Sequence, residues 1–181
     1  MPFLTAPFIL RMQESFDKDA PNFSTPTEGE LSESQLGEKI PMPPLKWATA
    51  WSQATAQGAK GITSIPIYPP VTCQLINVAE IAMKGVLLGN NPYTAPFSIL
   101  KSAFVTFAST MCPGWMPTYI AVPPAGPPNF ESLSAFGFAT KVNTPWIVQC
   151  ANMLSQWFMT GTLIPTPAGI TSVNAIPSNW L

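Results

Sequence analysis

The run FVTFASTMCPGWMPTYIAVPP, residues 104–124, decides the fold. Together with the residues just before it, it places Phe97, Leu100, Phe104, Phe107, Ala108 and Met111 on one face of a helix over 96–111. Pro113–Gly114 stops that helix, because proline has no N–H for a helical turn and glycine leaves the helical region at little cost. The next segment, Tyr119–Val122, is short, rich in strand-forming residues and closed by Pro123–Pro124. A helix, a glycine-containing break and a short extended piece ending in prolines make one unit.

Two further stretches have the same order. Residues 50–70 read AWSQATAQGAKGITSIPIYPP and residues 151–167 read ANMLSQWFMTGTLIPTP. The extended pieces, around 64–68, 119–122 and 162–164, are too proline-bounded for central strands and suit edge pairings or straps over the helices. The fragment Pro-Ala-Gly recurs at 124–126 and 167–169. The spacing of the units is irregular, which argues against a solenoid. The expected fold is mainly α with short β segments (α+β). It is a single helical domain over 41–181 with proline-rich extended connections.

Other helices follow from the same 3.6-residue period. Over 43–58, Trp47, Trp51 and Ala54 align, and Pro43–Pro44 suits a helix start. Over 74–88, Leu75, Val78, Ala79, Ala82, Met83, Val86 and Leu87 form a stripe predicted to face inward. Glu80 and Lys84 sit four apart in the favourable order, and Gly89–Asn90 ends the helix. Asn129 suits the cap of a short helix reaching Phe138. Thr144–Pro145 opens a last helix, with Ile147, Cys150, Ala151, Leu154 and Phe158 inward.

Residues 1–40 differ in kind. Ten of the seventeen charged side chains of the 181-residue chain lie there. Pro2–Leu10 is apolar and reads as extended by its prolines, and Gln13–Glu38 is acidic with turn chemistry at Ala20–Pro21, Thr25–Pro26 and Glu28–Gly29–Glu30. So charged a stretch does not repay its own ordering. The expectation is an extended, partly acidic arm over 1–40, with Phe3, Leu4, Phe8, Ile9 and Leu10 anchoring it on a neighbouring subunit.

The remaining body holds only Glu80, Glu131, Lys46, Lys60, Lys84, Lys101 and Lys141, and the chain has no histidine. Soluble domains carry about 25% charged residues, whereas this chain has 9%. That composition excludes much chemistry. Ser–His and Cys–His activation need histidine. Cys73, Cys112 and Cys150 are too scattered for a closed zinc site and read as buried free thiols. No phosphate-cradling glycine motif occurs. Glu80 is accounted for by Lys84, and Lys101–Ser102 are adjacent on a helix and so do not face each other. The sequence therefore gives no catalytic, cofactor-binding or metal-binding residue, and no enzyme is expected. Dispersed basic residues give no nucleic-acid signal. The best apolar run, Leu75–Leu88, is too short for a bilayer and carries two charges. No amino-terminal signal is legible. The six tryptophans are expected to serve cores and interfaces.

The stretch MLSQWFMTGT and its proline–glycine sequel, residues 153–169, resembles small structural proteins in the virions of tailed bacteriophages. The resemblance implies a subunit of a tail, baseplate or neck, assembled in the host cytoplasm and found in the virion, with other virion subunits and itself as partners. Low charge points the same way, since obligate interfaces are apolar at their centres. The alternative is a non-catalytic binding module whose apolar groove holds a peptide or small ligand.

Overall fold

The computed structural model describes residues 3–17, 44–63, 71–90, 95–136, 144–166 and 178–180. Among these residues five α-helices carry the fold: α1 Thr5–Asp17, α2 Pro44–Ala59, α3 Ile76–Leu88, α4 Pro96–Met111 and α5 Thr144–Phe158. Three short strands, β1 Tyr119–Val122, β2 Thr162–Pro165 and β3 Ser178–Asn179, form an antiparallel sheet in that order. Tight 3₁₀ turns occupy Cys112–Trp115 and Phe130–Phe136. The protein is mainly α with short β segments, as the periodicity implies.

The amino-terminal segment departs from expectation. Residues 5–17 are helical, and α1 packs on α2 and α5 within the same chain. Pro7 does not oppose this, because it lies in the first turn, where the backbone N–H has no helical acceptor anyway. Phe3, Phe8 and Met12, five and four residues apart, are buried in the core. Only Leu10 of the supposed anchor is strongly exposed, and Ile9 is half-buried against the core. So this segment is a core helix and not an arm docked elsewhere. The acidic stretch 18–40 lies outside the described residues.

Aromatic rings set the interior. Trp51 is their hub, with ring centres 6.2 Å from Phe8, 6.5 Å from Trp47, 6.0 Å from Phe104, 6.1 Å from Phe130 and 5.9 Å from Trp146. Those rings come from α1, α2, α4, the 130–136 turn and α5, so one side chain ties five elements together. The contacts with Phe104, Phe130 and Trp146 are within a few degrees of perpendicular, the edge-to-face geometry that ring quadrupoles favour. The buried indole N–H groups of Trp47, Trp51 and Trp115 reach no acceptor. Trp157 and Trp180 instead donate to the carbonyls of Gly126 and Thr162.

Two glycines admit rings against backbone. A Cβ on Gly58 would stand 2.2 Å from Phe3 Cζ, and the Leu4 N–H donates to the Gly58 carbonyl at 2.8 Å. A Cβ on Gly161 would stand 2.7 Å from the Trp180 ring, and the Trp180 N–H donates to the Gly161 carbonyl. Trp180 lies across Trp115 and Phe158, so it anchors its segment on the body of its own chain.

The second and third sequence units converge in the sheet. β1 and β2 pair with Tyr119 opposite Pro165 and Val122 opposite Thr162. β2 nevertheless occupies the middle position, contrary to the edge placement its prolines imply. The ladder to β3 uses only Thr162 and Leu163, so Pro165, lacking an N–H, ends the pairing without interrupting it. The first unit's extended piece at 64–68 lies outside the described residues, though Thr63 and Thr72 on either side form a single bridge.

Candidate interaction surfaces

All six tryptophans are buried in this chain. They build its core and leave the surface without the aromatic anchors that the sequence suggests for an interface. The inward stripe of α3 is also narrower than its sequence implies. Ile76, Ala79, Met83 and Leu87 are buried, whereas Val78 is half exposed. Glu80 and Lys84 form no ion pair, the pairs among described residues including Arg11–Glu14 at 3.2 Å and Lys101–Glu131. Lys101 hydrogen-bonds the Glu131 carboxylate and holds it below its ordinary pKa. That pair ties α4 to the 130–136 turn at the surface.

The thiols are chemically quiet. Burial pushes the Cys73 thiol up to about 11, and burial together with neighbouring Cys73 pushes Cys112 up to about 11. Cys150, fully enclosed, lies well above its ordinary value for the same reason. None forms a disulfide. Cys73 and Cys150 are buried as expected, whereas Cys112 is only half-buried, packed against the core. Among the described residues no three metal-ligating side chains gather, and no helix is long and apolar enough to cross a membrane.

A hollow of about 390 Å³ lies between α1 and α2, but Arg11, Glu14 and Lys46 stand in its wall. Arg11 there hydrogen-bonds Gln53 and Glu14. A second, of about 290 Å³, has Lys60, Gln74 and Asn77 on its rim. Neither is the purely apolar groove that a peptide-binding module calls for.

Besides single exposed side chains such as Leu10 and Leu45, the described residues show two rows of exposed apolar groups. On the sheet, strand alternation sends Tyr119 and Leu163 inward and Ile120, Val122 and Ile164 outward. Ile120, 52% exposed, lies directly opposite Ile164. The Thr166 N–H donates to the Thr118 carbonyl at 3.0 Å. By ladder alternation Ile120 and Val122 therefore bond to β2, and the backbone groups of Tyr119 and Ala121 point outward along an edge that no described strand occupies. Pro117 and Pro123 flank this edge and limit it to a few residues. Residues 102–130 and 142–181 contain no Asp, Glu, Lys or Arg, so no charge from the sheet's own strands and flanks guards this face.

The second row lies on the outer side of α3, where Val78, Ile81 and Leu88 are exposed, Ile81 at 73%. Sequence reasoning missed it because Val78 satisfies the inward period as well as the outward one. The signal was present in the 3-4-3 spacing of positions 78, 81, 85 and 88. Compared with protein-family models, curated proteins and solved structures, the chain matches none.

Proposed function

We propose that this chain is a structural, non-catalytic subunit that works by protein–protein contact in a larger assembly. The observation that carries the reading is the outer face of the sheet. Ile120, Val122 and Ile164 stand on solvent beside a β1 edge that no described strand occupies, in sequence devoid of charge. The edge itself is short and flanked by prolines, which limits strand addition, so the apolar side chains, which form a contiguous patch of the kind that marks a contact site, carry the reading. The cluster of titratable groups that an active site calls for is lacking among the described residues, which supports the non-catalytic side.

The particle we propose is a virion, with the chain in the tail, baseplate or neck of a tailed bacteriophage. This rests on the texture of residues 153–169, of which 153–165 run through the second half of α5, the turn at Gly161 and β2. Light scattering on the size-fractionated full chain tests the assembly reading. Oligomers, resolved by negative-stain microscopy as closed rings or stacks, are the expected result. A soluble protein that stays monomeric as concentration rises overturns it.

A further inference from the structure

We propose that the outer face of α3 joins two copies of this chain, antiparallel about a two-fold axis that passes beside Met83. The inference rests on the reading of the protein as an assembly subunit and names one of its partners. α3 is apolar on two sides: Ile76, Ala79, Met83 and Leu87 pack inward, while Val78, Ile81 and Leu88 face solvent. A helix apolar on opposite faces is ordinarily buried on both, and here one face has no cover among the described residues.

The outer face is complementary to itself in only one direction. Val78 and Leu88 lie five positions on either side of Met83, and Ile81 and Gly85 lie two positions on either side. Antiparallel pairing about Met83 therefore sets Val78 against Leu88 of the second copy and Ile81 against its Gly85. Gly85 is exposed, and a Cβ built there meets nothing within 4 Å. Ile81, the most exposed large apolar residue described, thus gains a vacant place to pack. A parallel pair instead sets Ile81 against Ile81 and Gly85 against Gly85, a collision followed by a void.

Charge agrees with this register. Glu80 and Lys84 lie on one flank of the stripe and form no ion pair among the described residues. The two-fold axis brings that flank against its own copy. Glu80, three positions before Met83, then falls two positions along the axis from Lys84 of the second copy, an offset of about 3 Å at the helical rise. The two Lys84 side chains also approach one another, so the flank has two attractive pairs and one repulsive pair. One helix per copy covers less than the roughly 1,200–2,000 Å² of a standard stable interface, so the pair by itself is weak and depends on concentration.

Sedimentation of the full chain over a concentration series tests this, with far-UV circular dichroism and thermal midpoint as checks on folding. The wild type should associate reversibly. Ile81→Glu should weaken association at least about tenfold, as expected for a central anchor, without lowering the midpoint. Gly85→Leu should weaken it comparably although it adds apolar surface and favours helix. Glu80→Lys alone and Lys84→Glu alone should each weaken self-association, and an equimolar mixture of the two should restore it as a one-to-one heterodimer. Stronger association of Gly85→Leu, or no recovery on mixing, overturns the antiparallel register. A wild type that associates but ignores all four substitutions removes α3 from the contact and leaves the assembly reading standing. A wild type that is monomeric throughout removes both.

Discussion

Trp51 and Ile120 are both large apolar side chains, yet they stand in opposite surroundings. Trp51 is fully buried, with rings from five elements around it. Ile120 shows half its surface to solvent, with Ile164 beside it on the sheet. The same scarcity of charge runs through both regions, but among the described residues only the first is covered. Low charge is therefore two signals superposed. Part of it is a core closed by aromatic rings, and part is surface that no described residue covers.

The largest expected effect breaks the closed region. Trp51→Ala leaves a cavity among helices that cannot all collapse into it, and buried aromatic truncations cost about 3–5 kcal/mol. Denaturant unfolding should lose most of the stability of the domain. Trp51→Phe should be far milder, because the Trp51 N–H has no acceptor to lose and the smaller ring still meets its perpendicular neighbours.

A second test asks whether α1 belongs to that closed region. Phe3 stacks on Phe158 at 5.1 Å and fills the space over Gly58. Phe3→Ala should cost about 3 kcal/mol. Gly58→Ala alone should cost about 1–3 kcal/mol by overpacking against the ring. Together they should cost less than their sum, because the alanine methyl enters space the ring has vacated. Additive losses in a double-mutant cycle would separate Phe3 and α1 from the core and revive the reading of residues 1–40 as an arm.

The sequence made the five-helix interior legible to different degrees. Strong periodicity located α2, α4 and α5 within a residue or two, and Pro113–Gly114 marked the end of α4. It failed at α1, because Pro2 and Pro7 look extended when their place in a first turn is not known. It failed differently at β2, where Pro165 is harmless only because β3 is two residues long. The surfaces were harder still. Tryptophan is ambiguous between core and interface until burial is known, and here all six are core. Val78 reads as inward from spacing alone, and only the packing against α2 and α4 turns it outward.

A third prediction belongs to the open region. Ile120→Thr with Ile164→Thr keeps the β-branching and removes apolar surface. Stability of the monomer should change by less than about 0.5 kcal/mol per site, as for surface positions. Any oligomer seen by light scattering should shift toward smaller species. If the pair instead behaves like Trp51 in denaturant unfolding, the outer sheet face is core by another name and the contrast between the regions collapses.

The smallest effect lies at the surface of the closed region, where Lys101 on α4 meets Glu131 on the 130–136 turn. Phe130, next in sequence, already fastens that turn to Trp51 and Phe104, so the ion pair adds to a joint that rings have made. Its carboxylate is held below its ordinary pKa first by the Lys101 hydrogen bond and then by its own backbone N–H. A depressed carboxylate contributes stability above the usual glutamate pKa of about 4.3, and that contribution fades as the pH falls through the lower folded value. Because Glu131 is largely exposed, solvent and salt screen the pair. Glu131→Gln should therefore lower the thermal midpoint slightly at pH 7, less so in high salt, and not at all once the wild-type carboxyl is protonated. A deficit that persists in acid would mean that the glutamate packs as well as pairs, and the rings around Phe130 would not be holding the turn alone.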